Sequence, residues 1–190
     1  MKITAGVDEV GRGSLMGPVY AAAVILNSSI DIKLLKDSKS IAKDKRELLS
    51  NYIKKNSTWA VGKASVKEID RINILQASLL AMSRAIKKLK IKPSHILIDG
   101  NKVPDLKNYN LKAVIKGDQK IPSISAASII AKVSRDKFIS TLAKNNKGYG
   151  WDHNFGYGTK QHLTAIKKLG INKHHRKTFS PISRLKTHNI

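Results

Sequence analysis

The longest apolar run in the chain, VYAAAVIL at Val19–Leu26, is eight residues long, and that length governs what the sequence can fold into. A helix crossing a bilayer needs about 20 apolar residues, so a membrane-spanning architecture is not expected. A core must instead be assembled from short buried pieces, and strands are the elements that bury runs of this size. Ile3–Val7 is a second such piece. Between the two, Gly11, Gly13 and Gly17 cluster with Pro18, the composition of a turn, so the chain should open as a hairpin.

Thr58–Val66 alternates as a third strand does, and the short apolar runs His95–Ile98 and Leu111–Ile115 read as buried strands four and five. Helical periodicity separates them. Lys43–Lys54 is polar with Leu48, Leu49, Tyr52 and Ile53 toward one side, a surface helix. The clearest helix spans Ile72–Leu89, where Leu75, Leu79, Met82, Ile86 and Leu89 follow at spacings of four and three. Ser125–Leu142 carries Ala126, Ala127 and Ala131, small enough to let a helix lie close on a sheet. After a Gly-rich loop, KGYGWDHNFGYG, a last helix is expected near Thr159–Leu169. Strands alternating with helices make the chain α/β, and 190 residues suit one domain, 1–190, with a C-terminal helical part from about 140.

Charge points to a partner. Thirty-six Lys and Arg against thirteen Asp and Glu leave a formal +23, which repels itself unless a polyanion or counterions neutralise it. Nucleic acid is the expected partner; the plain alternative is a protein whose lysines only keep it in solution. Cysteine is absent, which excludes disulfides and thiolate metal sites. Met1 and Lys2 lead directly into ITAGVDEVGRG, so no secretory signal and no membrane association are expected, and a cytoplasmic location follows.

Three of the five expected strands lead into acids: Asp8 and Glu9 after the first, Asp99 after the fourth, Asp118 just beyond the fifth. Strand ends on one edge of a sheet are where α/β proteins gather loops around a ligand. Carboxylates brought together there repel unless cations sit between them, and hard oxygen donors suit Mg²⁺ or Mn²⁺. Phosphodiester hydrolysis with two ions is the chemistry that needs such a cluster. Singly, an Asp at a strand end is more often a turn-former or cap, and Asp99–Gly100 is an ordinary turn signal. In a regular strand Asp8 and Glu9 point to opposite faces, so either the strand ends between them or Glu9 contributes differently, for instance through its backbone carbonyl.

Beyond these acids, GVDEVGRGSLMGPVYAAAVIL closely resembles the opening signature of the ribonuclease HII family. LKDSKSI (Leu35–Ile41), NILQASLLAM (Asn73–Met82), ILIDG (Ile96–Gly100), KGDQKIPSISAASIIAKVSRD (Lys116–Asp136), GYGTKQH (Gly156–His162) and HRKTFSPI (His175–Ile182) are similar to the family's other blocks, in order. The resemblance covers essentially the whole chain. It implies a ribonuclease H-like fold with a five-stranded mixed sheet flanked by helices, and Asp8, Glu9, Asp99 and Asp118 as catalytic acids holding Mn²⁺ or Mg²⁺. It further implies hydrolysis of RNA in RNA/DNA hybrids and incision at ribonucleotides embedded in duplex DNA, by a monomer without the additional N-terminal domain of type HIII enzymes.

The same resemblance assigns ribonucleotide reading to Gly11, Arg12, Gly13 and Tyr157, whose bland alternatives are a tight turn and a core tyrosine. It assigns phosphate contact to Lys39 and Arg46. Ser128 and Lys132, one helical turn apart, are expected to face the nucleic-acid backbone. His153, His162, His174 and His175 lack metal-site spacing and are expected to be structural or to touch phosphate. WDHNFGYGT departs from the family, which more often has a basic residue near Asn154. Competing readings are a ribonuclease H-like DNA nuclease or transposase, and an inactive basic nucleic-acid binder.

Overall fold

Residues 3–35 and 42–185 are described by the computed structural model. Strand β1 (Thr4–Val10) pairs antiparallel with β2 (Val19–Leu26), in register Gly6 to Val24, and β2 pairs antiparallel with β3 (Ser57–Ala64). On its other side β1 runs parallel to β4 (His95–Asp99), which is parallel to β5 (Leu111–Val114). The order β3-β2-β1-β4-β5 is the expected five-stranded mixed sheet.

Period-two alternation divides these strands between two helices. Ala5, Val7, Ala21 and Ala23 pack with Ala77, Ala81 and Ala85 of α2 (Val66–Lys87). Ala22 and Val24 pack on the other face with Ala126, Ala127, Ile130 and Ala131 of α4 (Pro122–Asn145). With both faces covered, β2 can be apolar throughout. α4 lies so close to β1 that a Cβ at Gly6 would collide with the Ser123 and Ile124 backbone. α1 (Lys43–Lys55) covers the α4 side.

Several element boundaries differ from the sequence expectation. The third strand ends at Ala64 rather than Val66, because Ser65 caps α2: its hydroxyl accepts from the Glu68 amide (3.3 Å) and Glu68 accepts from the Ser65 amide (2.8 Å). Helix α2 therefore starts at Val66, six residues before Ile72, and is interrupted at Asn73 (φ 64°), whose side chain re-caps the second half by accepting from Gln76 N (3.1 Å). Helix α4 starts at Pro122, a residue suited to a first turn because no amide is needed there. The Gly-rich loop also contains a turn of helix, α5 (Trp151–Asn154), between left-handed Gly150 and Phe155.

α6 (Lys160–Leu169) and α7 (Ile182–Leu185) complete the C-terminal part. It is joined to the segment between β1 and β2 and to α4 by an apolar cluster of Leu15, Met16, Ile139, Trp151, Ile166 and Ile182. No helix among the described residues is long and apolar enough to cross a membrane.

Candidate active site

Strand β1 does not stop at Val7 as expected; it continues through Asp8 and Glu9 to Val10. The parallel pairing of Val7 with Ile98 places Asp8 and Asp99 side by side one step further on, on the face toward α4. The carboxyl of Asp8 is buried, accepts the Glu9 amide (2.7 Å) and is hydrogen-bonded by the Ser128 side chain. Asp99 Oδ1 accepts the Gly117 amide (2.6 Å). That bond holds the turn at Lys116 (φ 55°) and the one-turn helix α3 (Gly117–Lys120), whose first turn carries buried Asp118.

Glu9 continues the strand directly after Asp8, and its carboxylate is paired with Arg12 (3.2 Å). The possibility that the strand ends between the two acids is thus overturned. Asp8, Glu9, Asp99 and Asp118 line one cleft of about 320 Å³ together with Arg46, Ser128 and Lys132. Lys132 also pairs with Asp136 (3.0 Å) and lies over the Phe155 ring at 5.0 Å and the Tyr157 ring at 6.0 Å. Lys39, with Asp37 and Ser38, lies outside the described residues.

Electrostatics mark the cleft as short of positive charge. Burial, then the neighbouring Glu9 charge, pushes the Asp8 carboxyl up to about 8, and burial raises Glu9 against the pull of Arg12. No three His, Asp or Glu side chains among the described residues converge tightly enough to enclose an ion. The donor set still suits Mg²⁺ or Mn²⁺, which bind through one or two carboxylates, retain water and complete their shell with substrate phosphate. A closed protein cage is not what such ions require.

The loop Gly11–Gly13 leaves β1 at this same strand end, and residues beyond the expected site hold it. Arg176 donates to the carbonyls of Gly11 (2.7 Å), Arg12 (2.8 Å) and Gly17 (2.9 Å). Arg135 donates to Pro18 O (3.2 Å), Phe155 O (3.0 Å), Met16 O (3.1 Å) and Ser14 Oγ (2.8 Å), and packs against Gly11, which has φ 93° and no room for a side chain. Both guanidiniums are fully buried. Burial and then the Arg135 charge lower Arg176 to about 9. SRD and HRKTF contain these arginines, yet nothing in either segment signals contacts with residues 11 to 18.

Tyr157 is half-buried beside Arg135 (5.7 Å from ring centre to Cζ) and Lys132. His162 and His175 are structural: both are buried, their Nε2 atoms lie 3.2 Å apart, and Trp151 Nε1 donates to His162 Nε2 (2.9 Å). Burial holds His175 down at about 4. Asn154, where the family more often has a basic residue nearby, is likewise buried, donating to Tyr149 O (2.8 Å) and accepting the Gly156 amide (2.8 Å).

A five-stranded mixed sheet with acids at neighbouring parallel strand ends and a helix across them defines a ribonuclease H-like α/β protein. The likeness to solved structures agrees with that class. Ribonuclease H2 from Pyrococcus horikoshii OT3 matches with a TM-score of 0.81 at 28% identity, over 97% of each chain. Bst-RNase HIII in complex with Mn²⁺ shares the fold, with a TM-score of 0.76 at 20% identity over 98% of this chain and 70% of that one. The ribonuclease HII family profile matches residues 5–182, and ribonuclease HII of Pelagibacter ubique (strain HTCC1062) is 78% identical over 185 residues, 97% of this chain and 100% of that protein. The chain belongs to the ribonuclease HII family.

Proposed function

We propose that this protein is an endonuclease that hydrolyses the RNA strand of RNA/DNA hybrids and incises duplex DNA 5′ of an embedded ribonucleotide. The observation that carries the reading is the pair of neighbouring strand ends where Asp8 and Asp99 stand side by side and line one cleft with Asp118, Arg46 and Lys132, with the Gly11–Gly13 loop leaving the same strand as Asp8. Family membership supports it.

Divalent ions held there by the carboxylates would activate water and stabilise the leaving oxygen. Asp8, Glu9, Asp99 and Asp118 would supply the oxygen donors, and the Glu9 amide, which donates to Asp8, also orients that carboxyl. The Mn²⁺ found with Bst-RNase HIII supports a divalent cofactor for the shared fold. Arg46 and Lys132 draw the phosphodiester backbone to the acids, so that water attacks phosphorus and the bond to the 3′ oxygen breaks. A 3′-hydroxyl and a 5′-phosphate result.

The test is an end-labelled cleavage assay on three duplexes of one sequence: RNA/DNA hybrid, DNA with one ribonucleotide, and all DNA. The first two should be cut, the second at the bond 5′ of the ribonucleotide, and the third left intact. Equal cutting of all-DNA duplex would replace this reading with that of a DNA nuclease.

A further inference from the structure

The acids account for hydrolysis, but choice of a ribonucleotide depends on how the loop after β1 presents its backbone. A trans peptide is planar, so a carbonyl and the following amide point in opposite directions. The carbonyls of Gly11 and Arg12 both turn inward to one guanidinium, that of Arg176. The amides of Arg12 and Gly13, which share those two peptide planes, must therefore point away from it. Among the described residues neither amide meets an acceptor. Gly13 itself is exposed, and a Cβ there would touch nothing within 4 Å. Successive amides turned the same way form a concave seat for an oxygen acceptor.

We propose that Arg176 is the positioning residue for ribonucleotide recognition, turning the Arg12 and Gly13 amides outward so that they can donate to the substrate's 2′-hydroxyl oxygen. The inference rests on the loop reading the 2′-hydroxyl, as the proposed function requires. Only a planar fork reaches two neighbouring carbonyls at once; a lysine ammonium, a point charge on a flexible stem, does not fix both planes. Asp70 of α2 makes the second anchor. Its carboxylate accepts from Lys177 N (3.1 Å), Thr178 N (3.0 Å) and Thr178 Oγ1 (2.8 Å), pinning the chain directly after Arg176. Arg135 packs directly against Gly11, where an added Cβ would collide with its Nε and Cδ.

The experiment measures affinity in magnesium buffer for DNA duplexes with and without one ribonucleotide, in the Asp99→Asn background so that nothing is cut. The readout is the ratio of the two affinities, which a loss of general folding or of phosphate contact leaves unchanged. Adding Arg176→Lys should lower this ratio roughly five- to tenfold, the contribution of about one hydrogen bond. Affinity for all-DNA duplex should stay within about twofold. Asp70→Ala, remote from the cleft, should lower the ratio in the same direction by less, and decides the matter if Arg176→Lys does not fold. An unchanged ratio in a folded variant, or both affinities falling together, overturns the positioning role. Absence of any ribonucleotide preference in Asp99→Asn alone would instead overturn the reading of the loop on which the inference rests.

Discussion

Two buried clusters of like charge adjoin the Gly11–Gly13 loop, and they are completed in opposite ways. Arg135 makes four hydrogen bonds and Arg176 three, every acceptor coming from the protein. Buried guanidiniums satisfied in this way are scaffold: carbonyl dipoles replace water, and no external ligand is called for. In the cleft, Asp8 is less well compensated. Asp8 is offered the Glu9 amide and the Ser128 side chain, and its proton affinity rises because those donors do not offset burial and the Glu9 charge. The arginines that the protein satisfies hold the loop still; the cleft around the undercompensated Asp8 is where cation and phosphate are expected.

Breaking the comparison at its acidic side should produce the largest effect. Asp99→Asn removes a negative charge beside Asp8 while an amide oxygen can still accept the Gly117 amide, so the fold should persist. Cleavage of the single-ribonucleotide duplex should fall to background, and excess chelator should do the same to the wild type. Binding to duplex should survive, since the basic surface supplies it. A folded Asp99→Asn that cuts at the wild-type rate would refute the acidic site.

This asymmetry also explains what could be read in advance. The acids were legible because strand periodicity is local: three apolar runs each lead into a carboxylate, and the parallel pairing of β1 with β4 then brings Asp8 to Asp99. The arginine cluster was not, because Arg176 reaches residues 11, 12 and 17 across the whole chain, and no local period encodes such contacts. Between these extremes lies the start of α2. Ser65 and Glu68 carry a capping-box spacing, but the β-like alternation that precedes it runs on into Val66 and hid the boundary. The turn of helix at Trp151–Asn154 was masked by the glycines that flank it.

A smaller effect is expected at Tyr157, which lies between the two clusters through its contacts with Arg135 and Lys132. If its ring packs on the deoxyribose after the ribonucleotide, Tyr157→Ala should cost on the order of 1 to 3 kcal/mol on a single embedded ribonucleotide. Loss on a long hybrid should be smaller, because neighbouring registers can substitute. Equal loss of kcat/KM on both substrates would assign Tyr157 to the fold alone.

Smaller again is the effect of a rim charge. Lys132→Ala should reduce the slope of log affinity against log salt by at most about 0.9, the counterion release of one phosphate, and by less if its pairing with Asp136 competes. Lys54, whose ammonium lies over Trp59 on the opposite edge strand, should leave the slope unchanged when replaced. Identical slopes for Lys132→Ala and Lys54→Ala would remove Lys132 from the nucleic-acid path.

A last effect is on stability without metal, and its sign separates the two clusters. Asp8 holds its proton up to about 8 in the folded chain against 3.8 for an unperturbed carboxyl, so the folded state binds the extra proton. Stability from this group is complete below pH 3.8 and drains away as pH rises toward about 8. In chelator, then, the wild-type Tm should decline between about pH 5 and pH 8 more steeply than that of Asp8→Asn, each kcal/mol counting for about 2 to 4 °C in a domain of this size. Added Mg²⁺ should lift the wild type at the upper end of that range and leave Asp8→Asn nearly unmoved, because only the intact cluster binds the folded state more tightly. Parallel pH profiles for the two proteins in chelator would mean that the cleft already compensates the Asp8 charge from within, as the arginine cluster does, and the contrast between the two regions would disappear.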